Sequence, residues 1–244
     1  MTVITLSRQL GSHGEEIAAQ VAQSLSLRLV DAQMINRAAQ RAGVPQMALA
    51  ELQNEGERGL ANRVLKALQT MPGLAPVGEL SRSYPDQSGL TIPWAGLFSP
   101  MAPPLSASLD GYVRMVDLVI RGLAQEGNVL IAGRGGQVLL RRHSGVLHVQ
   151  IVAPADYRLG VIMDRLQITK RDAQNRLRAN DRARFDYVRR YHDADWLDPT
   201  LYHLTINTAR VSVDTAAELI IAAQQSMMES KRDETREEES LPVA

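Results

Sequence analysis

The sequence predicts an α/β fold: a five-stranded parallel sheet with helices on both faces. Three observations carry that prediction. Short apolar, largely β-branched runs recur at residues 3–7, 28–31, 129–133, 146–152 and 203–207, and runs of this length and composition read as buried strands. Segments of helical spacing separate them, and strand–helix alternation is the pattern of a parallel sheet covered on both sides. The first strand also runs through two glycines, Gly11 and Gly14, directly into a helix.

Each element follows from local chemistry. Val3, Ile4 and Leu6 form the first strand, and from Glu15 the apolar positions Ile17, Val21 and Leu25 share one helical face. Strand, glycine loop and helix form the layout of a phosphate-binding loop, where backbone N–H groups and a helix N-terminus hold an anion. The full motif G-x-x-x-x-G-K-[ST] is not met, and a plain strand-to-helix connection reads equally well. The stretch 28–31 (RLVD) is a short strand ending in a carboxylate, and 33–41 has helical spacing up to Gly43-Val44-Pro45. A further helix is expected over 48–68. Residues 72–104 hold seven of the eleven prolines, a composition that argues against long elements. Trp94, Leu97 and Phe98 lie within that loop, which reads as folding back on the core, or else as a subunit contact or a lid.

Val113, Val116, Ile120 and Leu123 mark a helix leading to Gly127, and the strand VLIAG is followed at once by Arg134-Gly135-Gly136. After the strand VLHVQIV, Thr169 with Asp172 three residues on predicts a capped helix running towards Tyr191. HLTIN is the last strand, and Ser212 caps a final helix with Val213, Ala217, Ile220 and Ile221 inward. Residues 229–244 are charged and non-periodic, so a disordered tail is expected.

Composition bounds the function. The 244 residues can bury a sizeable core, and 45% are hydrophobic but only 4% aromatic. The 27 basic and 27 acidic residues cancel, which argues against a general nucleic-acid binder. There is no Cys, so disulfides and thiolate metal sites are excluded. No apolar run approaches the roughly 18 residues of a membrane span, and the chain enters its first strand without a signal peptide. A cytoplasmic protein with no membrane and no nucleic-acid partner is expected.

Ligands of parallel sheets lie at the carboxyl ends of the strands. The residues just past those ends are Ser7-Arg8, Asp31, Arg134 and Asn207-Thr208. A basic stretch adds to them, with ten Lys or Arg between Arg158 and Arg190, including Asn180-Asp181-Arg182-Ala183-Arg184. It reads either as a solvated helix with i,i+4 charge pairs or as a lid whose guanidiniums clamp transferring phosphates. His13 reads as a phosphate donor or as a surface histidine. His143, His148, His192 and His203 lack metal spacing, and Tyr191, Trp196 and Tyr202 read as packing at the lid hinge.

Five stretches, ITLSRQLGSHGEEIA, LVDAQMINRAA, LIAGRGGQVLL, NDRARFDYVRRYHDADWLDP and LTINTARVSVDTAAELI, resemble the cytidylate kinase-like family of P-loop nucleoside monophosphate kinases. The resemblance spans roughly residues 2–225, poorly over 52–109. It implies strand order 2-3-1-4-5 within one kinase-like domain, residues 1–228. Within it, 52–109 would be an inserted monophosphate-binding region and 158–198 the lid. It implies ATP as donor and (d)CMP or a related small nucleotide as acceptor. Arg8, Gly11, Ser12, His13 and Gly14 would then hold donor phosphates. Asp31, Arg37, Arg134 and Asp181 would hold the acceptor, and Arg182 and Arg184 would close over the transferring group. The chain departs from the family pattern where donor and metal chemistry sit. Gly14 stands for the loop lysine, Glu16 for the magnesium-binding threonine, and Ala132 and Gly135 for aspartates flanking Gly133-Arg134. Magnesium has no ligand at its usual places unless Glu15, Glu16 or Asp31 supplies one. The expected activity is phosphoryl transfer, the alternative a catalytically silent nucleotide-binding or regulatory protein on the same fold. A homo-oligomer through the 72–104 loop is the remaining partner expectation.

Overall fold

A computed structural model describes residues 1–32, 34, 35 and 109–240, without the side chains of 109–112 and 231–240. Arg37, most of the helix expected at 33–41, the helix expected at 48–68, the insertion up to residue 108 and the 72–104 loop lie outside the described residues.

Five parallel strands form one sheet in the order β2-β3-β1-β4-β5, as the sequence predicts. They are β1 (Val3–Arg8), β2 (Arg28–Asp31), β3 (Val129–Ala132), β4 (Val146–Val152) and β5 (Leu204–Asn207). β1 is central: Val3 is in register with Val129 on one side and with Val146 on the other. Central placement buries both of its faces, which explains a run as apolar as VITL.

Side chains alternate across the pleat. Ile4, Leu6, Leu130, Ala132, Leu147, Val149 and Ile151 point to one face, where they pack on α1 (Gly14–Ser24) and α6 (Val213–Ser240). Val3, Val129, Ile131 and Val146 point to the other, against α2 (Leu109–Glu126) and the second half of α5 (Lys170–His192). The remaining helices are the single turn α3 (Gly136–Leu139) and α4 (Ala155–Leu166), which packs on the start of α5 around Leu159, Ile162, Ala173 and Leu177.

The expected caps form: Thr169 Oγ1 accepts from Asp172 N–H at 3.2 Å, and Ser212 Oγ accepts from Thr215 N–H at 3.1 Å. Two features differ from the sequence expectation. α4 was not anticipated, because Arg158 and Gly160 interrupt the apolar spacing of Leu159, Ile162 and Leu166. α6 continues to Ser240, into the stretch expected to be a disordered tail. Its Lys, Arg, Glu and Met residues are good helix formers that extend a helix already nucleated by packing. Among the described residues no helix is long and apolar enough to cross a membrane.

Candidate functional site

The carboxyl ends of β1 and β3 open into a cleft of about 240 Å³. β1 delivers Ser7 and Arg8, the turn after β3 delivers Gly133, Arg134 and Gly135, and α5 crosses above with Asn180, Arg184, Tyr187 and Val188. These α5 residues recur at helical spacing and so form one stripe facing the sheet. The turn after β3 is unusual, with Gly133, Arg134 and Gly135 all at positive φ (91°, 55° and 70°). A non-glycine residue there costs roughly 1–2 kcal/mol, and such strain collects where a side chain must be aimed.

Three guanidiniums, those of Arg8, Arg134 and Arg184, thus share one cleft, and among the described residues no carboxylate lines it. Burial first, and then repulsion from Arg8 and Arg134, lower the pKa of Arg184 to about 10, with Asp181 and Glu15 opposing. Arg8 is lowered too, by burial first, with Glu15 and Asp31 opposing and Arg134 reinforcing. Arg8 Nε, Arg184 Nη1 and Asn180 Oδ1 are buried without a hydrogen bond among the described residues. Arg134 lies 5.8 Å from the ring centroid of Tyr187, and Arg184 lies 5.9 Å from that of Trp196. Clustered cations that raise one another's energy form a site for an anion.

The floor beneath is a rigid polar network. Trp196 Nε1–H donates to Ser7 Oγ at 2.7 Å, Tyr202 O–H donates to the Trp196 carbonyl at 2.8 Å, and Gln137 Nε2–H donates to Tyr202 at 3.1 Å. Burial pushes the Tyr202 phenol up to about 12, with hydrogen bonds from Ser7 and Gln137 opposing. Tyr202 therefore stays a proton donor.

The glycine loop faces elsewhere: Gly11, Ser12, His13 and Gly14 do not line the cleft. Ser12 is fully buried, and its hydroxyl donates to the Gln9 carbonyl at 2.7 Å. His13, at φ 56°, caps α1 and has Nδ1 2.6 Å from Glu16 Oε2. Arg165 of α4 lies 3.5 Å from Glu15 and 3.7 Å from Glu16. The start of α1, where a triphosphate would be expected, thus carries two carboxylates already facing cations. Asp31 accepts from Met34 N–H at 2.8 Å. Among the described residues no three His, Cys, Asp or Glu come together, so they do not fit a metal site of their own.

Three acceptor or lid expectations, Asp31, Asp181 and Arg182, land outside the cleft. Asp181 forms a two-bond ion pair with Arg158, at 3.0 and 2.8 Å. Arg182 is on the exposed side of α5, paired with Asp186 at 2.8 Å. Residues two apart on a helix point in nearly opposite directions, so Arg182 cannot share the cleft with Arg184. Asn180 and Tyr187 were not singled out, although their spacing to Arg184 was readable. Gln137 left no signal in the sequence.

The model of the cytidylate kinase-like family matches residues 3–210. No curated protein matches the chain in sequence. Among solved structures, an uncharacterized protein from Eubacterium ventriosum is similar at 17% identity and a TM-score of 0.59, covering 93% of this chain and 99% of that one. A sugar kinase from Janibacter matches at 13% identity and a TM-score of 0.45, covering 94% and 95%. A shikimate kinase from Acinetobacter baumannii matches at 15% identity and a TM-score of 0.39, covering 95% of each chain.

Proposed function

The chain belongs to the cytidylate kinase-like family, and we propose that it is a nucleoside monophosphate kinase-like phosphotransferase, with ATP as donor and (d)CMP or a related small nucleotide as acceptor. The observation that carries this reading is the convergence of Arg8, Arg134 and Arg184 on one cleft at the strand ends, with no carboxylate lining it among the described residues. Phosphoryl transfer needs positioned positive charge around the equatorial oxygens more than it needs a covalent catalyst. Arg134, fixed by its strained turn, would hold the acceptor phosphate. Arg184, carried on α5, would add its charge from above when the 158–198 lid closes. Magnesium would arrive on the nucleotide phosphates, its usual carriers. The partner is then a small nucleotide in the cytoplasm, bound within a single 1–228 domain.

A second reading, a silent nucleotide-binding protein, is favoured by Gly14 in place of lysine and by Glu15 and Glu16 at the start of α1. These carboxylates repel a triphosphate placed there. Coupled ADP release with ATP, Mg²⁺ and a panel of monophosphates separates the two. Turnover stimulated by CMP or dCMP above the ATP-only rate supports the kinase. Saturable monophosphate binding with no stimulated turnover supports the silent protein, and no binding of any monophosphate refutes both.

A further inference from the structure

Gly14 is where the loop lysine is missing, and the structure gives a steric reason. A Cβ built on Gly14 would lie 2.4 Å from Arg8 Cβ and 2.8 Å from Arg8 Cγ. Arg8 Cβ is fixed to the β1 backbone, so no rotation of the side chain moves it away. At the other end of the same side chain, Arg8 Nη1 lies 2.9 Å from a Cβ built on Gly133. Arg8 therefore runs from the end of β1 between two glycines, one opening α1 and one opening the turn after β3, and emerges in the cleft.

Resting on the reading of that cleft as a phosphate site, we infer that Arg8 is the relocated cation of the glycine loop. Arginine at position 8 and glycine at position 14 are one structural device. Any side chain at 14 displaces the Arg8 stem, and with Arg8 present no lysine fits there. The device moves positive charge from the triphosphate side of the loop into the cleft, beside Arg134 and Arg184. Its ligand class is a phosphate monoester or free phosphate. The guanidinium is built for an anion rather than satisfied by the protein. Its side chain is 12% exposed, its Glu15 neighbour stands 3.8 Å away, and Nε is buried without a hydrogen bond among the described residues. A carboxylate at 3.8 Å is beyond hydrogen-bond distance.

Calorimetric titration of CMP and, separately, of inorganic phosphate tests this on the wild type, Arg8→Met, Arg8→Gly, Gly14→Ala and Arg8→Gly with Gly14→Ala, each with its melting temperature. Arg8→Met keeps the stem and removes the charge, so it should melt near the wild type and bind at least tenfold more weakly. Gly14→Ala should melt lower and lose binding to the same degree. Adding Gly14→Ala to Arg8→Gly should cost little more, because the stem it clashes with is gone. Unchanged affinity in Arg8→Met overturns the inference, as does a Gly14→Ala protein that binds and melts like the wild type. Wild-type binding of phosphate but not CMP, lost in Arg8→Met, keeps the Arg8 role and removes the cytidylate reading. Wild type that binds neither ligand overturns both.

Discussion

Removing Asp181 should unfold the protein more readily rather than merely weaken a ligand. Arg158 is 6% exposed and Asp181 30%, and two charge-assisted hydrogen bonds join them at 3.0 and 2.8 Å. Arg158 also donates from Nε to the Ala153 carbonyl at 3.0 Å and from Nη1 to the Leu10 carbonyl at 3.3 Å. One guanidinium thus ties the end of β4, the glycine loop and α5. Breaking a buried pair by deleting one partner costs about 3–5 kcal/mol. Water reaching Asp181 lowers that, but in Asp181→Ala the charge left behind is the deeply buried Arg158, so about 3 kcal/mol is expected. Urea unfolding of Asp181→Ala, Arg158→Met and the double variant gives the pairwise coupling, expected at about 2–3 kcal/mol. A coupling below about 0.5 kcal/mol, within the error of additivity, would refute the tie. So would an Asp181→Ala protein of unchanged stability that has lost CMP affinity, because Asp181 would then be a ligand contact, the role that the family resemblance implies.

Two further outcomes follow from the core. Burial, and then the neighbouring His203, lower the pKa of His148 to about 4, with a hydrogen bond to Leu140 opposing. Below pH 6.5 the unfolded chain takes up a proton that the folded chain refuses until about pH 4, so stability is complete above 6.5 and falls across that window. The loss approaches about 3 kcal/mol, and urea midpoints of wild type and His148→Gln from pH 7 to 4 should diverge by that amount; parallel curves would contradict it. Trp196→Phe leaves the buried Ser7 Oγ without its 2.7 Å donor and should cost about 1–3 kcal/mol in thermal unfolding, whereas an unchanged midpoint would show that the network under the cleft is not stabilising.

The sheet was legible because burial on both faces leaves an apolar signature that needs no tertiary context. RLVD and VLHVQIV became β2 and β4 at the expected bounds, and β1 took the central place. The site was legible in part. Arg134 and Arg184 stand at a strand end and on a helix over it, as expected, and Arg8 lines the cleft while Gly11, Ser12, His13 and Gly14 do not. No sequence spacing shows that the Arg8 stem fills the room of a side chain six residues on. Asp181 matched a lid motif, yet its partner Arg158 lies on a helix the sequence did not reveal. The outward turn of Arg182 was readable, since residues 182 and 184 cannot face one way on a helix.

Titration of CMP into the wild type and Arg134→Ala tests the three-arginine cleft most directly. Arg134 would contribute hydrogen bonds from a charged group, worth about 1.5–3 kcal/mol, so Kd should rise by roughly 10- to 150-fold while the melting temperature of the unliganded protein stays close to that of the wild type. Equal CMP affinity in the two proteins would contradict the account, because the guanidinium held in the strained turn after β3 would then not be the group that binds the phosphate.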